Sequence, residues 1–240
     1  MSLTPYVHVD DALDAATVGD RVALAPAAHR HLTTVLRLTD GDVVEVADGA
    51  GVDAQAVLVA DGLELTSAPR RHRPTTPRIV VAQAVPKGRR FDEVLRQVTE
   101  LGVDRVVPLH TDRGVVRFDA RRRERAAERW AAVIRAACEQ ARRPWRPSLA
   151  PVTPAVDFVT ADHLVAHPGG DGLAAAVGDA PGVGELTAVI GPEGGFSDAE
   201  VSAFASAGAR LVGLGPYVLR SEHAAAAAVT ALSVLSGRWG

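Results

Sequence analysis

Cysteine, lysine and long hydrophobic runs are the features that this 240-residue chain nearly or entirely lacks. Cys138 is the only cysteine, which excludes a disulfide framework and a cysteine-based metal centre. No apolar stretch is long enough to span a membrane, and the N-terminus has no basic segment followed by a hydrophobic one. These absences predict a soluble, cytoplasmic protein without a metal site.

Arginine carries almost all of the positive charge, because Lys87 is the only lysine. The formal net charge is −3, which taken alone argues against a nucleic-acid partner. The arginines are nevertheless clustered, at Arg70, Arg71 and Arg73, at Arg89 and Arg90, at Arg121, Arg122, Arg123, Arg125 and Arg129, and at Arg142, Arg143 and Arg146. Such clusters fit a face that binds a polyanion. They equally fit a coding bias that places arginine on ordinary solvated helices, and charge alone leaves both interpretations open.

The first seventy residues have the pattern of a small β domain. Short runs with alternating apolar residues predict strands over residues 21–24, 43–46, 54–59 and 63–67. Asp48-Gly49 and Asp61-Gly62 supply turn residues between them, so we expect a small barrel. Residues 26–38 differ, because their apolar residues fall at helical spacing among basic ones, and they predict a short basic helix.

A basic, proline-bearing segment over residues 70–77 is the predicted linker to a second region. Beyond it strands and helices alternate, which predicts an α/β fold with a parallel sheet. The predicted strands cover residues 78–85, 105–109, 163–166, 186–190 and 210–214. The predicted helices cover residues 91–101, 120–141 and 222–235, and a further helix begins at a Ser197/Glu200 capping box. The last helix is apolar all round, so we expect it to pack against a second subunit as well as its own sheet.

Two glycine-rich turns follow the last two predicted strands, at residues 190–196 and 214–220. A parallel strand that ends in glycine and proline exposes main-chain groups at the sheet edge where open α/β folds bind ligands. Neither turn is a phosphate loop or a dinucleotide fingerprint, but together they predict one ligand pocket. Helix capping would by itself explain Ser221 and Glu222 behind the second turn, whereas the guanidinium of Arg220 needs an anionic partner.

Several segments together resemble one enzyme family. They are residues 190–200 and 214–228, Thr99-Glu100-Leu101-Gly102-Val103-Asp104, Glu139-Gln140-Ala141-Arg142-Arg143, His31-Leu32 with Val35-Leu36-Arg37, and Pro86-Lys87-Gly88. At this spacing they are similar to the bacterial 16S ribosomal RNA (uracil-N3) methyltransferases of the SPOUT class, and the resemblance covers nearly the whole chain. The sequence departs from the family pattern at His223, where a small residue is usual.

The resemblance implies a fold and an activity. The fold would be a PUA-like RNA-binding β-barrel over residues 1–73, followed over residues 74–240 by an α/β SPOUT methyltransferase domain with a C-terminal trefoil knot. The activity would be S-adenosylmethionine-dependent methylation of N3 of one uridine in 16S ribosomal RNA. Family members are homodimers with the active site at the subunit interface, so a second copy and the small ribosomal subunit are the implied partners.

The resemblance also implies site residues. The cofactor is expected at His167, Ile190, Gly191, Pro192, Glu193, Gly194, Gly195, Leu214, Gly215, Val218, Leu219 and Arg220. From the position of Arg220 and Glu222 at the mouth of the second turn, we further expect that Glu222 or a neighbouring group removes the uracil N3 proton and that Arg220 stabilises the uracilate. RNA is expected at Arg30, His31, Arg37, Lys87, Arg113, Gln140 and Arg143.

Three other functions stay open beside this one. Other SPOUT enzymes methylate a ribose 2′-hydroxyl, and identifying the methylated nucleoside would distinguish that activity from methylation of uracil N3. A non-catalytic RNA-binding protein would keep the barrel, with His223 closing the pocket. A small-molecule α/β enzyme with incidental arginine clusters would show no salt-dependent RNA binding.

Overall fold

The computed structural model describes residues 4–114, 116, 119–178 and 184–239, and its contacts divide the chain into two compact units. The first unit contains Met1–Pro74 together with Arg135–Arg146, and the second contains Thr75–Ile134 together with Pro147–Gly240. The expected domain boundary after residue 73 stays a prediction. The structure adds that a segment from much later in the chain groups with the first unit.

A mostly antiparallel sheet of six strands forms the first unit. The strands are β1 (Tyr6–His8), β2 (Arg21–Val22), β3 (Val43–Ala47), β4 (Val52–Val59), β5 (Gly62–Leu65) and β6 (Arg70–Arg71). They follow the order β1-β3-β4-β5-β2, with β6 on β4, and β1 runs parallel to β3. Over the described residues this pairing does not close on itself, so the sheet is open where we expected a barrel. Val44, Leu58 and Leu63 lie fully buried in its core.

Two short elements of this unit differ from the sequence-based expectation. The predicted linker begins as β6, because the Arg70 guanidinium donates to both carboxylate oxygens of Asp53 on β4, at 3.1 and 3.0 Å. The predicted basic helix is shorter than residues 26–38: α1 (Pro26–Arg30) continues as a π-helical turn (His31–Val35). The helical path ends there, and Arg37 adopts a positive φ of 57°.

His8, on β1, joins the segment Arg135–Arg146 to the sheet of the first unit. Its imidazole is buried, with Nε2 donating to the carbonyl oxygen of Arg143 at 2.8 Å and Nδ1 accepting from Arg146 at 3.2 Å. This arrangement requires a neutral ring that carries its proton on Nε2. Burial is the main cause that lowers the pKa of His8 to about 4, and the charge of Arg146 adds to the effect.

Because of His8, we expect the free energy of unfolding to fall as the pH is lowered from 6.5 to about 4. The unfolded chain takes up this proton near pH 6.5, whereas the folded chain resists it until about pH 4, so the stabilisation is complete above pH 6.5. The expected loss is about 3 kcal/mol. Urea denaturation near neutral pH and near pH 4 measures it. The His8→Gln variant, which does not titrate, should lose less over the same interval, and equal losses would contradict this assignment.

A parallel sheet of seven strands forms the second unit, as the alternation of strands and helices predicts. Its strands are β7 (Arg78–Ala84), β8 (Arg105–His110), β9 (Ser148–Leu149), β10 (Thr153–Pro154), β11 (Leu164–Gly172), β12 (Glu185–Ile190) and β13 (Arg210–Gly213). The helices after α1 are α2 (Arg90–Glu100), α3 (Ala120–Gln140), α4 (Ala155–Phe158), α5 (Leu173–Gly178), α6 (Asp198–Ser206) and α7 (Ser221–Leu235). The strand order is β10-β8-β7-β12-β11-β13, with β9 on β8. Strand β12 is therefore inserted between two strands that precede it in the chain.

Helix α7 is buried on one side and exposed on another. Ala225, Ala228 and Leu232 are fully buried, and the helix packs against α2, β7 and β12. Val234, by contrast, is 60% exposed, although it is as apolar as the buried residues. A single chain thus covers only part of this apolar helix. None of the helices in the described ranges is long and apolar enough to cross a membrane.

Candidate functional site

The two glycine-rich turns leave the same edge of the second unit's sheet. The first turn (residues 191–195) follows β12, and the second turn (residues 214–219) follows β13. Strand β11 lies between β12 and β13 and is parallel to both. Because adjacent strands are about 4.8 Å apart, the two turns begin about 10 Å from each other. The expectation that both turns share one sheet edge is confirmed.

Glycines give the first turn its shape. A Cβ on Gly191 would lie 3.1 Å from the ring of Phe196, so a larger residue would displace that ring. Gly195 has a φ of 68°, in the left-handed region, and its N–H donates to the carbonyl oxygen of Pro192 at 2.9 Å. No atom outside the adjoining chain lies within 4 Å of the position that a Gly195 side chain would take. The turn is compact, and its main chain is uncovered at Gly195.

Buried polar contacts fix the start of α6 behind the first turn. The predicted capping box is present: the N–H of Glu200 donates to Ser197 Oγ at 3.1 Å, and the N–H of Ser197 donates to Glu200 Oε2 at 2.7 Å. The Glu200 carboxylate is buried, and its Oε1 accepts a further bond at 2.9 Å from the N–H of Asp112, in the loop after β8. The sequence pattern does not reveal Asp112, because its partner lies 88 residues further along the chain.

Two arginines contact the first turn directly. Arg113 donates to the carbonyl oxygen of Gly194 at 3.0 Å, and Arg90, at the start of α2, forms an ion pair with Glu193 at 3.0 Å. Arg113 is one of the residues expected to bind RNA, and its guanidinium lies against the expected cofactor turn. Arg90 is missing from the predicted site, although it is close in sequence to Lys87, which the resemblance includes and which is exposed.

The second turn is almost fully exposed. Leu214 is half-buried, whereas Tyr217 and Val218 are 83% and 88% exposed. Gly215 has a φ of 139°, which favours glycine. Two large neighbouring side chains on this short turn are thus open to solvent.

Gly170 positions the strand that leads into the second turn. A Cβ on Gly170 would lie 2.6 Å from main-chain atoms of Leu211 and Val212, so β11 approaches β13 more closely than a side chain would allow. The register between these strands shifts between Ala166 and Asp171, on either side of the close approach. The second turn follows β13, and the position of β13 depends on direct contact between its main chain and Gly170 on β11.

Arg220 and Glu222 lie where the second turn enters α7. Arg220 is the N-cap residue of the helix, and over the described residues its exposed guanidinium has no ion-pair partner. The expectation that Ser221 is the N-cap is wrong: Ser221 is the first helical residue, and its hydroxyl donates to Glu222 Oε2 at 3.3 Å. The backbone N–H of Glu222 lowers the pKa of its own carboxyl, and the charge of Arg90 adds to this. The carboxylate is therefore ionised at neutral pH.

The histidines of this region are dispersed. His167 is half-buried on β11, and His223 is exposed in the first turn of α7. His163 stacks on Phe158, with the ring centroids 5.0 Å apart, just before β11 begins. Within the ranges that the structure describes, no three His, Cys, Asp or Glu residues are grouped as metal ligands would be. The exposed side chain of His223 does not fill the interior of the unit.

The two turns offer groups that fit a nucleoside cofactor with a positive sulfur. The uncovered main chain at Gly195 can exchange hydrogen bonds with polar groups of a nucleoside. Val218 and Leu219 are exposed and supply apolar surface for an adenine ring. Glu193 places a carboxylate, paired with Arg90, at the same edge. The residues present are therefore compatible with S-adenosylmethionine.

Five of the residues expected to bind RNA lie in the first unit. Arg30, His31 and Arg37 are exposed around the π-helical turn, and Gln140 is exposed at the end of α3. Arg143 is half-buried, and its carbonyl oxygen accepts the imidazole bond described above. Four of the five side chains are thus fully accessible to a large anionic partner.

An open cleft of about 440 Å³ adjoins the π-helical turn in the first unit. It is lined by Leu24, Pro26, His29, Arg30, Thr33, Ala60 and Asp61. The carboxylate of Asp61 in this lining is paired with Arg21 at 3.3 Å.

Models of two protein families match this chain. The model described as an RNA methyltransferase domain matches residues 73–233, and the model described as an RNA methyltransferase PUA domain matches residues 27–65. The first match contains both glycine-rich turns. The second contains the π-helical turn and strands β3 to β5 of the first unit.

Similar proteins and structures agree with these matches. A Mycobacterium bovis protein named ribosomal RNA small subunit methyltransferase E is 34% identical over 226 residues, which cover 87% of this chain and 84% of that protein. The structure of a Neisseria gonorrhoeae protein of the same name, bound to S-adenosylmethionine, is 26% identical, with a TM-score of 0.85 over 97% of this chain and 98% of that one. A Legionella pneumophila protein solved with the cofactor SAM is 28% identical, with a TM-score of 0.87 and the same coverage. This chain belongs to the RNA methyltransferase family whose members include the ribosomal RNA small subunit methyltransferases E.

Proposed function

We propose that this chain transfers a methyl group from S-adenosylmethionine to N3 of one uridine in 16S ribosomal RNA of the small subunit. Family membership supports methyl transfer to ribosomal RNA, and the bound S-adenosylmethionine of the Neisseria gonorrhoeae structure supports the cofactor. The observation that carries the proposal is the common sheet edge of the two turns, with Arg220 where the second turn enters α7. Together they provide a donor pocket and a cation for the acceptor base.

The proposed enzyme is a cytoplasmic homodimer with a trefoil knot in the second unit. The insertion of β12 between β7 and β11 supports the knot, because the chain has to return between strands that it has already formed. The exposed apolar side chains of Tyr217 and Val234 support a second copy that covers them. The first unit would be the RNA-binding PUA-like module.

Main-chain groups of the two turns would hold the cofactor. The proposed contacts are His167, Ile190, Gly191, Pro192, Glu193, Gly194, Gly195, Leu214, Gly215, Val218, Leu219 and Arg220. When bound, S-adenosylmethionine supplies an electrophilic methyl group on a positively charged sulfur. The protein's part is to hold that methyl in line with the acceptor nitrogen and to keep water away.

Glu222 and Arg220 would manage the proton and the charge of the acceptor base. Uracil N3 carries a hydrogen, so its lone pair can form a bond to carbon only as that proton leaves. The ionised carboxylate of Glu222 accepts the proton. Because the pKa of Glu222 is lowered, the carboxylate is a weak base. The uracilate therefore needs stabilisation at its oxygens, which the unpaired guanidinium of Arg220 provides.

Capture of the RNA would rest on basic and polar side chains in both units, most of them exposed. In the first unit these are Arg30, His31, Arg37, Gln140 and Arg143, and in the second unit Lys87. Arg113, expected with them, donates to the Gly194 carbonyl oxygen of the first turn. Contacts of arginine and lysine with phosphates release counterions, so binding should weaken steeply as the salt concentration rises. The target base has to leave its stacked position to reach the donor pocket, at a cost of a few kcal/mol.

Methylation of unmodified 30S particles, with free 16S RNA in parallel, tests the proposed function. We expect labelled methyl from S-adenosylmethionine to enter the RNA and, after digestion to nucleosides, to be found by mass spectrometry as 3-methyluridine. A 2′-O-methylated nucleoside would establish the ribose methyltransferase instead. Binding of the cofactor and the particle without methyl transfer would establish a non-catalytic RNA-binding protein.

A further inference from the structure

The loop after β8, residues 111–114, is a tight turn next to the first glycine-rich turn. Its first residue, Thr111, is buried, and its carbonyl oxygen accepts a bond from the N–H of Gly114 at 3.0 Å. A Cβ on Gly114 would lie 2.9 Å from the hydroxyl oxygen and 3.0 Å from the carbonyl oxygen of Thr111, so the turn has no room for a side chain at this position. One main-chain hydrogen bond and this close approach define the turn.

Asp112 ties this loop to the start of α6. Its N–H donates to the buried carboxylate of Glu200, and its own carboxylate oxygen Oδ2 accepts the hydroxyl of Ser197 at 2.6 Å. The capping box thereby gains a third member that comes from a different strand end. Bonds to a buried carboxylate are costly to leave unmade, so α6 and the 111–114 loop hold each other in place.

Arg113 extends the contact from α6 to the first glycine-rich turn itself. Its guanidinium donates to the Gly194 carbonyl oxygen at 3.0 Å and lies 3.8 Å from the carboxylate of Asp198. Its Cβ and Cδ atoms lie 3.7 and 3.8 Å from the position that a Gly194 side chain would take. Arg113 therefore covers one side of Gly194 and fixes the direction of its carbonyl group.

We propose that Asp112 and Arg113 are positioning residues that hold the first turn in the shape that binds the methyl donor. The inference rests on the proposed function, because it takes the first turn as part of the donor pocket. A turn that is ordered before the cofactor arrives binds it more tightly, since less conformational freedom is lost on binding. Half-exposed ion pairs such as Arg113 with Asp198 contribute little to overall stability. Loss of Arg113 should consequently affect cofactor binding and leave the fold intact.

Calorimetry and steady-state kinetics of Arg113→Ala test the proposal. We expect the Kd and the KM for S-adenosylmethionine to rise about tenfold, with kcat within about twofold and the melting temperature unchanged. Arg113→Lys should recover part of the affinity, because an ammonium group can still donate to the Gly194 carbonyl. Arg96→Ala is the matched control, since Arg96 is an equally exposed arginine that pairs with Glu93 on α2. An unchanged Kd for the cofactor, with a raised KM for RNA, would overturn the proposal in favour of an RNA contact.

Gly195→Val in the same assay separates this inference from the proposed function. Gly195 belongs to the first turn itself, and its positive φ strains any residue with a side chain. If Gly195→Val leaves the Kd for S-adenosylmethionine unchanged, the turn is not the donor site and both proposals fail. If Gly195→Val abolishes binding while Arg113→Ala does not, only the positioning role fails.

Discussion

Replacing Arg220 with alanine is expected to slow methyl transfer by a factor of about 10² to 10³. Its guanidinium is exposed at the N-cap of α7 and has no ion-pair partner over the described residues, so it is available to a substrate anion. Arg90 and Arg113, in contrast, already contact groups of the first turn. A single-turnover rate at saturating cofactor and RNA measures the effect, because weaker binding then does not change the observed rate. Arg220→Lys should be intermediate, since it keeps the charge and loses the fork of donors.

Glu222→Ala, in the same single-turnover assay, tests whether Glu222 removes the N3 proton of uracil. A general base contributes about 10² to 10⁴ to a rate, so a full rate in this variant would show that another group removes the N3 proton. A full rate in Arg220→Ala would likewise show that the uracilate is stabilised elsewhere. The two variants test different roles, because one removes the proton acceptor and the other the stabilising cation.

Gly170→Ala is expected to lower the free energy of unfolding by about 3 kcal/mol, at the upper end of what overpacking costs. The new methyl group would meet the main chain of Leu211 and Val212 at 2.6 Å, and backbone atoms cannot turn aside as a flexible side chain can. Strand β13 would have to move, and the second turn with it, so we also expect weaker binding of S-adenosylmethionine. Urea denaturation measures the first effect and calorimetry the second.

Gly172→Ala is the matched control on the same strand. No atom lies within 4 Å of the position that its side chain would take, and its φ is outside the left-handed region. We expect its free energy of unfolding to stay within about 0.5 kcal/mol of the unsubstituted protein. Equal destabilisation by both substitutions would mean that the glycine-rich end of β11 tolerates no added side chain, and that the close approach at Gly170 has no special role.

Features that depend on local spacing could be predicted from the sequence. The parallel sheet, the glycine-rich turns and the capping box of Ser197 and Glu200 all follow from patterns within a few residues. The common edge of the two turns followed as well, because the carboxyl ends of parallel strands meet on one side of a sheet. The short elements β9, β10, α4 and α5 were missed, since each is too brief to show a period.

Contacts between distant segments could not be predicted. Asp112 and Arg113 look like ordinary loop residues, and their partners at Glu200 and Gly194 lie 88 and 81 residues away. The segment Arg135–Arg146 is joined to the first unit by several long-range contacts, among them the buried imidazole of His8 and the ion pair of Arg142 with Glu45. Such features come from tertiary packing, and a single sequence does not show which loops contact each other.

The position of β12 also determines when this protein can fold during its synthesis. Strand β12 joins β7 to β11, yet it pairs with β7 about a hundred residues earlier in the chain. Strand β7 is therefore complete about a hundred residues before the strand that joins it to β11 has been made. Contacts of such long sequence separation slow folding and leave strand edges open in the meantime. The edge of β7 that β12 covers therefore stays unpaired until residues 185–190 have been made.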